Sequence, residues 1–409
     1  MMGKRRQILS KDELSTPLIA NLAQHDESAQ HVPQPSNSDD VPEETSPTYP
    51  TAGNEQPVDP LRFITVPTPR DAQYRANDLR LADILVDEPW DPAVDDHIAR
   101  HVFTTTENYN DVDHIRLVAE RLWHSSFLLA QRPALLQAEW DLVMSYSIMD
   151  LDLFQLGISQ DQVWRRDLEP VHCAPLSPPI QNQRSTQQTP DRAGNSISPT
   201  RAGEPPDTAF ELGHSHPYLT VGLAERILAQ GSEHKRSSSD YYSMLSNLQE
   251  LSVLITDPHA TPLRIHFPFL ILETTSHVDG SLYQAQNKAA LCGSRAIKIM
   301  EAFSDYHKSY STYIEGNPFS YGTPDPDGLP VNLAFSVTTQ GPHWELWVHY
   351  RRATSTASNS FVMVCIRSGM LNIIDDCLIL VRHLFDIMKW GSVVFAAKIK
   401  TMLREIDIA

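Results

Sequence analysis

Cysteine is scarce in this chain of 409 residues: Cys173, Cys292, Cys365 and Cys377 are the four, widely spaced and with no Cys-x-x-Cys pair. That excludes a disulfide framework and a zinc ribbon. Long apolar runs are absent too. No stretch approaches the roughly 18 uninterrupted apolar residues of a spanning helix. Met1 to Ser15 is polar, without the apolar core of a secretory signal. The expectation is an intracellular chain, nuclear or cytoplasmic, with no membrane partner. Glycine is low, 16 against 30 prolines. There is neither a Gly-rich phosphate loop nor a Gly-x-Ser-x-Gly elbow, which removes the P-loop enzymes and the elbow-type hydrolases.

Positive charge is the last shortage: 33 Lys+Arg stand against 51 Asp+Glu, a formal net charge of -18. Such a surface repels polyanions in general. The acidity is unevenly placed. Residues 1–200 hold 16 basic and 30 acidic side chains, leaving 17 and 21 for residues 201–409. The C-terminal half therefore retains room for a local basic groove and a nucleic-acid partner. Lys4-Arg5-Arg6 reads either as a nuclear-import patch or as ordinary terminal charge.

Proline clusters in residues 1–70 and 170–206, among Ser, Thr, Gln, Asn and Asp, the composition of disorder. The expected organisation is a disordered tail over 1–75, a partly ordered linker over 76–111, a helical part over 112–171, a disordered insertion over 172–206 and an α/β core over 207–409. In the helical part Ile115, Val118, Leu122 and Leu129 recur at helical spacing up to Pro133, and Leu136, Trp140, Val143 and Met144 form a second apolar face. His216 to Leu223 reads as a strand left at Gly222. Asp240 reads as the cap of a helix carrying Met244 to Leu254. Residues 263–275 form an almost unbroken β-rich run ending near Glu273, suited to a central strand covered on both faces. A helix over 282–306, strands over 331–338 and 344–350 joined at Gln340-Gly341-Pro342, a strand over 361–366 and terminal helices complete the order.

That order, together with Pro217–Leu223, Phe267–Ser276, Gly280–Ala290, Ala334-Phe335-Ser336-Val337 and Glu345–Tyr350, resembles an uncharacterised fungal family of PD-(D/E)xK nuclease-like domains. The resemblance covers roughly residues 112–405. It implies a restriction-endonuclease-like fold, a mixed sheet flanked by helices. It also implies a site in which two acids hold Mg²⁺ and a lysine supports the charged transition state. Glu273 matches the second acid. Tyr218 stands where the family has the first, and Thr275 where it has the lysine, so two of three groups are missing. The neutral phenol of Tyr218 is at most a weak metal ligand, and Thr275 carries no charge.

Three substitutes offer themselves. Lys288, on the following helix, could replace the lysine, or it is a solvated helix residue. Glu139 could supply a carboxylate from the first helix, or it is a surface residue beside Trp140. Gln286 and Asn287 match the family's helix amides, which bind water or a nucleotide, or they are polar residues of a helix start. Without metal or lysine, Glu273 at a buried strand end should have a raised pKa unless hydrogen bonds compensate. His214 and His216 share a strand face but have no third ligand nearby. Phe335, Trp347 and Trp390 read as core rather than as a base-stacking platform.

The expectation is therefore a catalytically degenerate nuclease-like domain that binds a protein or a nucleic acid and needs no cofactor. The alternatives are an active Mg²⁺-dependent nuclease using Glu273 and Lys288, and a non-enzymatic interaction scaffold on an unrelated α+β fold.

Overall fold

In the computed structural model a seven-stranded mixed sheet carries helices on both faces. The structure describes residues 72–104, 109–132, 137–168, 215–229, 238–275, 281–315, 332–353 and 359–408. Residues 1–71 of the tail expected over 1–75 and the expected insertion 172–206 lie outside the described residues; residues 72–75, the end of that expected tail, are instead helical and bury Tyr74 in the main core.

The strands are β1 (Ile84–Val86), β2 (Gly157–Gln160), β3 (Leu219–Ala224), β4 (Ile265–Thr275), β5 (Ala334–Gln340), β6 (His343–Ala353) and β7 (Asn359–Met370). Their spatial order is β1-β7-β6-β5-β4-β3-β2. β2, β3 and β4 form an antiparallel meander, β5 runs parallel to β4, and β1 closes the far edge parallel to β7. A parallel neighbour cannot be reached by a tight turn. The crossover from β4 to β5 is the long helix α6 (Leu282–Glu315). The other helices are α1 (Pro92–His101), α2 (Tyr109–Ala130), α3 (Gln137–Leu151), α4 (Glu225–Ala229), α5 (Ser238–Glu250), α7 (Ile374–Trp390) and α8 (Ala396–Ile408).

The run Phe267 to Leu272 is buried throughout because β4 is covered on both sides. The helix α6 packs on one face, over β4, β5 and β6, while α7 with α2 and α3 forms the other layer. Close approach needs small residues. A Cβ at Gly293 of α6 would lie 2.1 Å from His349 Nδ1 on β6, and one at Gly391, after α7, would lie 2.2 Å from Phe269 Cζ on β4. Phe335, Trp347 and Trp390 are core, as expected, with Trp390 edge-on to Phe335 at 5.7 Å. The β5–β6 hairpin turns where expected, Gly341 taking φ 57°.

Several expectations are corrected. Gly222 lies inside β3 rather than ending it, at the bulge between Val221 and Leu223. A Cβ there would sit 2.8 Å from the His266 carbonyl oxygen, so the glycine is required by close backbone approach. The helix expected to start at an Asp240 cap begins at Ser238 and stops at Glu250, leaving Leu251 exposed. The segment expected as a linker, 76–111, instead supplies β1 and α1, and buries Leu79, Ile84, Val94 and Ile98 in the main core.

Candidate functional site

Directly paired residues on neighbouring strands point to the same face of a sheet. Glu273 pairs with Thr338 and Thr338 with Glu345, so these three side chains form a row across β4, β5 and β6. The N-terminal turns of α6 lie over this row and carry Gln286, Asn287, Lys288 and Cys292.

Glu273 is 1% exposed. The thiol of Cys292 donates to it, with Sγ 3.5 Å from Oε1. Burial drives the Glu273 carboxyl up to about 8, against the opposing pull of the Lys288 ammonium and the thiol contact. At neutral pH it is a carboxylic acid. The neighbouring Cys292 thiol is raised as well, first by burial and then by Glu273. Thr275, where a lysine was sought, is buried, and its one hydroxyl proton can go to the carbonyl of Ser281 (3.3 Å) or of Thr339 (3.4 Å).

The structure does not bring Glu139 into this cluster. Its carboxylate pairs with Arg132, just past the end of α2, at 2.7 Å, on the outer side of α3. The carboxylate that α3 does turn inward is Asp141, which the sequence reading passed over. Asp141 accepts from Gln137 Nε2 at 2.5 Å, is hydrogen-bonded by Thr274 and feels the charge of Lys288. Burial raises its pKa more than these groups lower it. Tyr218 stands beside it: desolvation raises the phenol, a hydrogen bond with Ser145 opposes, and Asp141, Asp161 and Tyr146 add to the rise.

Lys288 thus acts on acids from both layers. Asp141 meets β4 through Thr274, whose side chain alternates to the face opposite Glu273. The two acids flank the strand end rather than converge. Among the described residues no group of three or more His, Cys, Asp or Glu side chains is placed to hold a metal ion. A protonated Glu273 and an Asp141 on the other face are a poor match for Mg²⁺, which demands a close octahedron of anionic and neutral oxygens. The residues present do not fit that ion.

Gln286 and Asn287 are buried and engaged by a group from outside the expected domain. Arg75, in the π-helical turn Arg75–Leu79 before β1, donates from Nη2 to Gln286 Oε1 (2.6 Å) and from Nε to Asn287 Oδ1 (3.0 Å). Its guanidinium lies 4.3 Å from the centre of the Tyr283 ring. Gln286 Nε2 in turn donates to Glu345 Oε2 (2.7 Å), which also accepts from Thr338 Oγ1 (3.0 Å). Desolvation lowers the Arg75 pKa, partly offset by Tyr283, Asp87 and Glu345.

A second polar chain was missed altogether. Ser159 Oγ lies 2.8 Å from His259 Nε2, and His259 Nδ1 lies 2.5 Å from Asp257 Oδ1. Gly157-Ile158-Ser159 carries only the first half of an elbow pattern, and all three relay residues are buried. The other Asp257 oxygen accepts from the amides of Leu263 and Arg264, both at 2.8 Å. Burial raises the Asp257 pKa, but His259, with His266, outweighs it and holds the carboxyl below its ordinary value. The relay clamps the loop entering β4 against the edge strand β2. His214 lies outside the described residues, while His216 pairs with Asp161 at 3.1 Å.

Scans against models of protein families and against curated proteins find no match. No helix among the described residues is long and apolar enough to cross a membrane.

Proposed function

We propose that the chain carries a nuclease-like core whose catalytic machinery has decayed and that it acts by binding a protein partner. The order α3, β2, β3, β4, α6, β5, with an antiparallel meander followed by a helical crossover to a parallel strand, supports the nuclease-like reading. It also speaks against an unrelated scaffold, since Glu273 lies on an interior strand flanked by α6. The observation that carries the loss of catalysis is the state of Glu273: buried, given a thiol as its donor among the described residues, and with its carboxyl pushed up to about 8 by burial. A carboxyl that must first give up a proton is a poorer ligand for Mg²⁺ and a poorer base for an attacking water. Lys288, whose charge reaches both Glu273 and Asp141, favours the second reading, a residual Mg²⁺-dependent nuclease.

Purified chain incubated with Mg²⁺ or Mn²⁺ and mixed DNA and RNA substrates separates the two. No cleavage and no calorimetric signal for either ion is the expected result. Cleavage abolished by Glu273→Ala would overturn the proposal and establish the second reading.

A further inference from the structure

The loop clamped by Asp257 also lines a cavity of about 100 Å³, at the opposite end of β4 from Glu273. Its walls come from three places: Arg165 after β2, Ser246, Gln249 and Glu250 of α5, and Arg264 and His266 at the entry to β4. A single water takes roughly 10–15 Å³ of such space. The cavity therefore admits a molecule of several heavy atoms, and it falls well short of the roughly 300–1,000 Å³ of a drug-sized site. Its frame is firmly bonded. Gln249 Oε1 accepts from the amides of Thr256 (3.2 Å) and Asp257 (3.1 Å), and its Nε2 donates to the Asp257 carbonyl (3.2 Å). The Arg165 amide donates to the Pro258 carbonyl at 2.8 Å, and Asp167 grips the guanidinium through Nε (3.1 Å) and Nη2 (2.8 Å). A guanidinium held on that edge presents Nη1 on the other.

Arg264 is placed at a cost. Its φ of 63° is a left-handed conformation unfavourable for a long side chain, and the bond from its amide to Asp257 Oδ2 (2.8 Å) holds it there. Backbone strain of this kind concentrates at ligand sites. Charges of both signs face the cavity, Arg165 and Arg264 against Glu250 and Asp257. Burial lowers the His266 imidazole to about 4, so it is neutral at pH 7 and adds no charge. Glu250 is the last residue of α5, where the helix dipole adds negative potential and favours a cation. Ser246, one turn earlier, shares its side of the helix. A lone anion would meet Glu250 and the helix end, and a lone cation would meet two guanidiniums. A small ligand that carries both charges meets neither conflict.

We propose that this cavity binds a small α-amino acid, with its carboxylate on Arg165 and Arg264 and its ammonium towards Glu250 and the end of α5. The site is separate from the Glu273 row, and its occupancy does not depend on whether that row retains catalysis.

The test is calorimetry on the full chain at low salt with glycine, L-alanine and L-serine, and with propionate and ethylamine, which each keep one of alanine's two charges. At least one of the amino acids is expected to bind, about tenfold or more tightly than either single-charge compound. Arg165→Met and Glu250→Gln should each weaken that binding about tenfold, Glu250→Gln being a conservative change at an exposed helix end that leaves the melt unaltered. Arg264→Gly suits φ 63° while removing the guanidinium, so it should weaken binding as much and melt like the parent. Absence of heat with all three amino acids overturns the proposal. Propionate binding as tightly as alanine also overturns it, since the cavity would then be a plain anion site, and so does an affinity unchanged in Arg165→Met and Glu250→Gln.

Discussion

Replacing Glu273 by glutamine tests the protonation state on which the functional reading turns. Glutamine keeps the shape of the neutral acid and cannot ionise. Below pH 4.5 both the folded and unfolded states hold the Glu273 proton, so it adds no pH dependence. Between the ordinary value of 4.5 and the folded value of about 8 the unfolded chain releases the proton while the fold retains it, so stability falls as pH rises. Above about 8 both states are ionised and the loss levels off. Each pH unit in that window corresponds to about 1.4 kcal/mol. At pH 7 the ceiling is about 3 kcal/mol, and relaxation around the carboxylate should reduce it to roughly 2 kcal/mol. Burial sets this shift, and Lys288 and Cys292 on α6 oppose it without overcoming it. Urea melts of parent and Glu273→Gln at pH 4.5, 6, 7 and 8 give a difference in which every other titration cancels. The variant should gain on the parent steadily from pH 4.5 to 8. A constant difference would refute a raised Glu273 pKa. A variant that loses ground as pH rises would show an ionised Glu273 stabilised by a cation, and with it an intact site.

Four further outcomes follow from the geometry. Tyr218→Asp with Thr275→Lys places a carboxylate beside the strand end and an ammonium on the Glu273 face, and should create Mn²⁺ binding detectable by calorimetry; a folded double variant without binding would remove support for the nuclease-like site. Gly293→Ala drives a methyl into the His349 ring, which Ser336 Oγ holds at 2.8 Å, and should cost about 3 kcal/mol in a denaturant melt. Asp257→Asn should cost roughly 2 kcal/mol at pH 7 by weakening the relay and the clamp on the β4 entry loop. Because the folded Asp257 pKa is lowered, this deficit should shrink as pH falls through that value, and a pH-independent deficit would refute an ionised Asp257. Arg75→Met should destabilise by about 1–2 kcal/mol and raise amide exchange at the start of α6, whereas unchanged exchange would show that Arg75 does not order those turns.

Strand β4 was legible because a buried interior strand needs no alternation and leaves a continuous apolar run. The helix α6 was legible for the complementary reason, a sustained helical period without a proline. The short edge strands were not. β1 is three residues long and β2 reads Gly-Ile-Ser-Gln, so neither carries a pattern of its own, and pairing with β7 and β3 is what makes them strands. Glu139 is the carboxylate that the resemblance suggests for the first helix, and Asp141 goes unweighed. Yet two residues along a helix are about 200° apart. The wheel defined by Trp140, Met144 and Ile148 already sets Asp141 at the edge of the buried stripe and Glu139 on the far side. That signal was in the sequence; the partner Thr274, which fixes where Asp141 acts, was not.

The row of Glu273, Thr338 and Glu345 shows why one pairing ladder can hold two acids in different circumstances. Glu345 accepts from Gln286 and Thr338 and draws Arg75 towards it, so its oxygens are provided with donors and a nearby cation. Glu273, two strands away on the same face, is offered by the described residues a thiol at 3.5 Å and the charge of Lys288. A buried carboxylate without donors is neutralised more cheaply than it is solvated. The cation that engages the first turns of α6, Arg75, comes from a segment outside the αβββαβ core and acts on Glu345. With threonine at 275, no residue two positions beyond Glu273 returns a charge to it. On this reading the loss of catalysis lies in the displacement of positive charge along the row, while the sheet and α6 that would frame the site remain.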